Sequence, residues 1–316
     1  MKRLLFAIPV FLFISFSMCA DASARVPTFT SLAEMNAQIR QNEHDSAFVY
    51  QVIMRATDLN LLRDATKTYA HLSNEQPKNW LMEAGKGFAE FLEVGYMSKW
   101  MGVSRDKWPH SVSALYERGF YARRLPFQTA GFSYSGAHSI REAAMHLPKD
   151  PYVMIMDCFA NFYGVCTYEG YTGKDLQQFR DLAARYIAKM KYVTMKYPQI
   201  GDAWGLYAEA YSTLADSFFF KQNHEYLRYT QMANHCFQKM NHPSPYWYDN
   251  MFSMDCGFTW DILGHPRKAL QYYNFYYSHC DVPTDKRELY TFNEIKDQTY
   301  KLVHKEIATH KNLCLG

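Results

Sequence analysis

Pro198-Gln199-Ile200-Gly201-Asp202-Ala203-Trp204-Gly205-Leu206-Tyr207-Ala208-Glu209-Ala210-Tyr211 opens the stretch that decides the fold, which runs on to Pro283. Trp204, Tyr207, Ala208 and Tyr211 recur at offsets of 3, 4 and 7. That spacing puts bulky groups, with one small residue among them, on a single face of a helix. Ala233, Phe237 and Met240 repeat the cadence at offsets of 4 and 7, and Pro245 comes after them. Between the two helices lies the insertion Ser217-Phe218-Phe219-Phe220-Lys221-Gln222-Asn223. A proline cannot continue a helix, so each pair of helices is expected to be closed by one.

The order Trp204, Tyr207, Ala208, Tyr211, then Ala233, Phe237, Met240 and Pro245, resembles a tetratricopeptide repeat with about a dozen extra residues between its helices. The resemblance implies an all-α fold, a right-handed superhelical stack of antiparallel helix hairpins. It also implies that first helices line a concave groove in which a protein or peptide partner is held.

Working outward, the same cadence recurs. Ala65, Tyr69 and Leu72 at offsets of 4 and 7 precede Pro77, and a final pair is expected at Tyr248 to Leu263 and Pro266 to Cys280. Ser31-Leu32-Ala33-Glu34 is a capping box and predicts a helix to about Gln41. Helices are expected at 46–55, 59–72, 79–92, 111–124, 139–146, from Tyr152 onward and at 176–197. The aromatic-rich stretch 93–110 reads as an insertion. Residues 131–136 form a turn-rich connector, and Thr172 to Asp175 an N-cap. A long polar helix, 285–310, is expected to cap the array with Glu294, Lys301, Lys305 and Glu306 outward. Gly85 and Gly87 lack the preceding strand of a phosphate loop and read as helix-packing glycines.

At the start, Met1-Lys2-Arg3, an apolar run from Leu4 to Met18, and Ala22-Ser23-Ala24 are the three parts of a secretory signal peptide. Cleavage is expected after Ala24, leaving residues 25–316 as one exported repeat domain, periplasmic or secreted, in a bacterial envelope. Losing Lys2, Arg3 and Asp21 takes the net charge from +3 to +2. Such a balance provides no electrostatic footprint for nucleic acid, and no Lys/Arg run marks an anionic membrane surface. The six remaining cysteines, Cys158, Cys166, Cys236, Cys256, Cys280 and Cys314, permit disulfides without selecting a pairing. Buried apolar thiols are the alternative.

The 12 histidines include no HExxH, and no Cys-His block has ligand spacing, so neither a metal nor a cofactor is expected. The resemblance places groove-facing positions at Asp202, Gly205, Glu209 and Ser212, counted from Trp204. Counted from Met251, it places them at Asp249, Phe252, Cys256 and Thr259. Asp202, Glu209, Ser212, Asp249 and Phe252 are the expected partner-binding set, suited to a peptide with basic and apolar groups. On that reading, replacing Asp202 or Glu209 by Ala weakens binding without lowering the melting temperature. The chain is expected to be a non-enzymatic scaffold or adaptor. The alternative is a small-molecule or glycan binder, or an enzyme, drawing on a 17% aromatic content.

Overall fold

The computed structural model describes residues 27–59, 61–95, 135–163, 173–218, 224–280 and 286–313. The expected signal peptide lies outside them, as do residues 96–110 of the aromatic-rich stretch, the helix at 111–124, most of the 131–136 connector, Thr172, Cys166 and Cys314. All regular structure among the described residues is helical. The helices are α1 (Leu32–Gln41), α2 (Ser46–Asp58), α3 (Leu62–Glu75), α4 (Trp80–Gly95), α5 (Ser135–His146), α6 (Pro151–Cys158), α7 (Gly173–Lys196), α8 (Gly201–Asp216), α9 (His224–Lys239), α10 (Pro245–Trp247), α11 (Ser253–Ile262), α12 (Pro266–His279) and α13 (Lys286–Leu313). One wide π turn, Phe159–Tyr163, continues α6, and a second, Tyr248–Phe252, joins α10 to α11.

Local chemistry sets the ends of these elements. Ser31 Oγ accepts from the Glu34 amide, while Glu34 reaches back to Thr30, whose amide donates to it at 2.8 Å. Asp45 caps α2 through the Phe48 amide, and Asp150 caps α6 through the amides of Tyr152 and Val153, both at 3.0 Å. Each satisfies amides that a helix start leaves without intrahelical partners. Pro151, Pro245 and Pro266 occupy first-turn positions, where the missing N–H costs nothing. Pro245 thus opens α10 and does not close α9, as its place in the repeat pattern had suggested. The stretch 93–110 expected as an insertion also divides, since α4 continues through Gly95.

Consecutive helices pack in neighbouring pairs: α2 on α3, α4 on α5, α6 on α7, α8 on α9 and α11 on α12, with α13 on α12. Each pair also meets the next, through α3 on α4, α5 on α6, α7 on α8 and α9 on α11. The centre is α6, which touches α2, α4, α5, α7 and α8. Val153 through Phe162 are buried without a break, as expected of a helix with neighbours on every side. An aromatic column runs through the first members of the pairs. Tyr50 stacks on Phe88 at 5.6 Å, Phe88 approaches Phe159 at 6.1 Å, and Phe159 stacks on Trp247 at 3.9 Å. Phe252 lies 6.4 Å from both Phe159 and Phe237.

Small residues let backbones approach where this column is tight. A methyl group on Gly87 would meet the Gly136 carbonyl of α5, in keeping with a packing role for that glycine. One on Gly205 would overlap the ring of Phe252, which is fully buried and has nowhere to go. Gly205→Ala is therefore expected to cost about 1–3 kcal/mol, the range for overpacking a filled core. Chemical denaturation of the purified variant checks it; an unchanged midpoint would show that α8 is not in contact with the Phe252 ring there.

Candidate functional site

The five expected partner-binding residues do not share one open face. Helix α8 is buried from Gly201 through Tyr211 except for Trp204, which is half-buried and donates its indole N–H to the Pro198 carbonyl at 2.9 Å. Successive first helices therefore cover the face that the repeat pattern assigned to a groove. Asp202, 4% exposed, accepts from the Tyr50 hydroxyl at 2.7 Å, from the Ser244 amide at 2.7 Å and from Ser244 Oγ at 2.5 Å. The Trp247 indole N–H donates in turn to the Tyr50 oxygen at 3.1 Å. Phe252 belongs to the aromatic column, and Gly205, Cys256 and Thr259 are buried as well. Only Ser212 and Asp249 of the expected set keep partly exposed positions.

Glu209 leads to the chemistry that the sequence left unassembled. It is 4% exposed, and its Oε1 has no hydrogen-bond partner. Its carboxyl faces Asp255 of α11, a residue that the spacing argument passed over in favour of the adjacent Cys256. Contacts of Asp202 with Ser244, Gly205 with Phe252 and Glu209 with Asp255 advance together along both segments, so the two run in the same direction. Glu209, Ser212 and Asp216 succeed one another at offsets of 3 and 7 on α8 and grade from buried to half-buried to exposed. Asp255 is half-buried. Among the described residues, none of Glu209, Asp216 and Asp255 forms an ion pair. Arg180 on α7 reaches this end of α8 but binds Ser217, donating from Nε to Oγ at 3.1 Å and from the second guanidinium nitrogen to the carbonyl at 2.9 Å.

The electrostatic result is that these three carboxyls, like Asp202, which burial raises against its hydrogen bonds from Ser244 and Tyr50, hold protons more tightly than usual. Burial pushes Glu209 well above the carboxylate range, and the neighbouring charges of Asp255 and Asp216 add to it. Burial pushes Asp255 up to about 6 despite the hydrogen bond with Glu209, which acts the other way. Asp216 is exposed as a residue, yet the protein packed about its carboxyl and the charge of Asp255 push it up to about 6. Asp157 in α6 is buried as well and accepts from Lys189 Nζ at 2.5 Å, Asn161 Nδ2 at 2.9 Å and the Tyr186 hydroxyl at 3.2 Å. A second acid couple joins α13 to the body: Glu306, expected as a solvated outer residue, is pushed up to about 7, first by burial and then by Asp261.

Other candidates stay dispersed. Cys158, Cys236, Cys256 and Cys280 are buried and joined in no disulfide, and burial pushes Cys236 up to about 12. Among the described residues no three His, Cys, Asp or Glu side chains are grouped to hold a metal ion, and no helix is long and apolar enough to cross a membrane.

Two outcomes are expected from this geometry. Asp202→Ala strands the Tyr50 hydroxyl and the Ser244 amide in the interior and is expected to cost roughly 3 kcal/mol. The sequence alone implied no loss, because it placed Asp202 in solvent; a denaturation midpoint equal to that of the parent would restore that view. For the acid cluster the sign is set by linkage. A carboxyl whose folded pKa is raised leaves the folded chain with more protons than the unfolded one, so its stabilisation is complete below pH ~4 and disappears as pH rises through about 6. Glu209→Gln can donate to the Asp255 carboxylate and removes the repulsion. It is expected to raise Tm at pH 7.5 by roughly 2–6 °C and to leave Tm at pH 4 unchanged; an equal shift at both pH values would exclude titration of this cluster as the cause. No family model, curated protein or solved structure matches the chain, so the function is argued from the site itself.

Proposed function

We propose that the protein is an exported, non-enzymatic scaffold of the tetratricopeptide-like kind, a superhelical stack of antiparallel helix hairpins that holds a protein or peptide partner. The observation that carries this reading is the order of packing among the described residues, in which neighbouring helices pack in pairs and each described pair meets the next described pair. Such an array buries its apolar stripes between repeats. The partner-binding surface is revised from the expected set: Ser212, Asp216 and Asp249 contact the partner, Glu209 acts from beneath them, and Asp202 and Phe252 hold the helices that carry them. Export to a bacterial envelope rests on the amino-terminal charge, apolar run and Ala-x-Ala end.

One observation favours a second reading, an enzyme or a small-molecule binder. Coupled carboxyls with displaced pKa values, in a partly open position, are the kind of group that acid–base chemistry uses. The two readings separate in one experiment. Tagged residues 25–316 are expressed in the envelope, crosslinked mildly, purified and analysed by mass spectrometry. The scaffold predicts a stoichiometric protein partner with crosslinks to segments flanking α8 and α11. Recovery of the chain without a partner would overturn it in favour of the small-molecule reading.

A further inference from the structure

Helix α9, the second member of its pair, carries one exposed stripe, Arg228, Met232, His235 and Lys239, at offsets of 4, 7 and 11. Residues eleven apart on a helix lie about 16 Å apart along its axis and within ~20° of one another around it. The two cations therefore end a single straight edge. No Asp or Glu occurs from Tyr226 to Lys239. Among the described residues neither Arg228 nor Lys239 forms an ion pair, whereas Arg40, Lys67 and Lys86 each meet an acid. Aromatic rings hold the two cations instead. Lys239 Nζ lies 5.3 Å from the centre of the Trp204 ring, and the Arg228 guanidinium lies 4.6 Å from that of Tyr229, to whose hydroxyl it also donates at 2.7 Å. A row of rings joins the two ends, Trp204 to Tyr207 at 6.2 Å, Tyr207 to Tyr211 at 5.0 Å and Tyr211 to Tyr229 at 6.3 Å. Beyond Tyr229 the row continues to Phe218 at 5.8 Å, over which Arg180 lies at 4.0 Å.

We propose that this edge of α9 is a docking surface for an acidic peptide segment, whose carboxylates meet Arg228 and Lys239 while an apolar group between them covers Met232. The proposal rests on the scaffold reading for the partner's being a protein, while the sign of the partner's charge rests on the stripe itself. Charge complementarity selects the occupant. A basic segment would bring like charge onto two cations that no acid offsets, and that juxtaposition is repulsive. The rings attract the cations without neutralising them, and they leave N–H donors free for a carboxylate. They also limit how far these long side chains range, so less freedom is lost when an anion binds. Recognition of acidic motifs by clustered basic side chains works on this chemistry. The edge spans about five residues of an extended segment or eleven of a helical one. It is separate from the surface at Ser212 and Asp216, because Trp204, Tyr207 and Tyr211 lie about half a turn round α8 from Glu209.

The test uses N-acetyl-hexaglutamate amide as the probe, N-acetyl-hexaglutamine amide as the neutral control and an oligogalacturonate as an acidic sugar. Each is titrated into residues 25–316 by calorimetry at pH 7.5 and low ionic strength, where exposed charges are least screened. The hexaglutamate is expected to bind and the hexaglutamine not to. Arg228→Gln combined with Lys239→Gln, both on the surface and checked for folding by thermal melting, is expected to weaken the hexaglutamate about 5-fold or more, the loss of two exposed charge contacts. Lys78→Gln combined with Lys149→Gln removes the same charge from exposed positions elsewhere and is expected to leave it unchanged. No binding of the hexaglutamate, equal binding of the hexaglutamine, or equal weakening by the two double variants would each overturn the proposal. Tighter binding of the oligogalacturonate, lost in the Arg228 and Lys239 variant, overturns the peptide in favour of an acidic glycan. Pull-down separates this surface from the scaffold reading. A partner retained at full yield by the Arg228 and Lys239 variant overturns the surface and leaves the scaffold standing. Hexaglutamate bound with the expected loss in that variant, but with no protein partner recovered, overturns the scaffold and supports the edge as a site for acidic ligands.

Discussion

The Tyr50 hydroxyl, donating to Asp202 and accepting from Trp247, is the contact on which the packing of this chain turns. It joins α2, α8 and α10 across 152 and 197 residues of sequence. Each group in it is buried, so each depends on the other two to avoid an open polar atom. The aromatic column beside it supplies the apolar part of the same junction, with Phe88, Phe159 and Trp247 in succession through three helix pairs. In an open linear array, repeats touch only their nearest neighbours. Here the first pair reaches the fourth and fifth directly, and the space that an open groove would occupy is filled by side chains.

The two π turns belong to the same solution. Phe159 starts one and Phe252 ends the other, and both rings enter the column. An i to i+5 step inserts one residue into a turn and rotates the remainder of the helix. Helices that would otherwise present an α-helical face off the column are thereby turned onto it.

Polar residues within this interior fall into two groups. Asp202 and Asp157 are fully engaged, and they fix the relative positions of helices by demanding specific donors. Glu209, Asp216 and Asp255 have no cationic partner among the described residues, and burial raises the pKa of each. The first group accounts for a unique packing; the second stores unfavourable charge at neutral pH, where a fold selected only for stability would place amides or apolar residues. Asp202 and Glu209, about two turns apart on α8, show the contrast most directly: both oxygens of the first accept hydrogen bonds, whereas Oε1 of the second has no partner.

Much was legible in the residues themselves. Apolar periodicity placed most described helices to within a few positions, because a 3.6-residue repeat of buried groups is a local property of the chain. Ser31 marked a helix start for an equally local reason, a side-chain acceptor for a free amide. Glu209 was marked by its spacing as well. Its surroundings were not, nor was the burial of Asp202 and Phe252, because these depend on which helix covers a given face. Asp255 carries no local mark either: one position along a helix turns a side chain by about 100°, and only the packing of α11 on its neighbours sets that angle. The sequence by itself determined that the chain is helical and paired. The tertiary structure alone decided which acids meet, since their encounter is a contact between segments some 46 residues apart and no periodicity within either one encodes it.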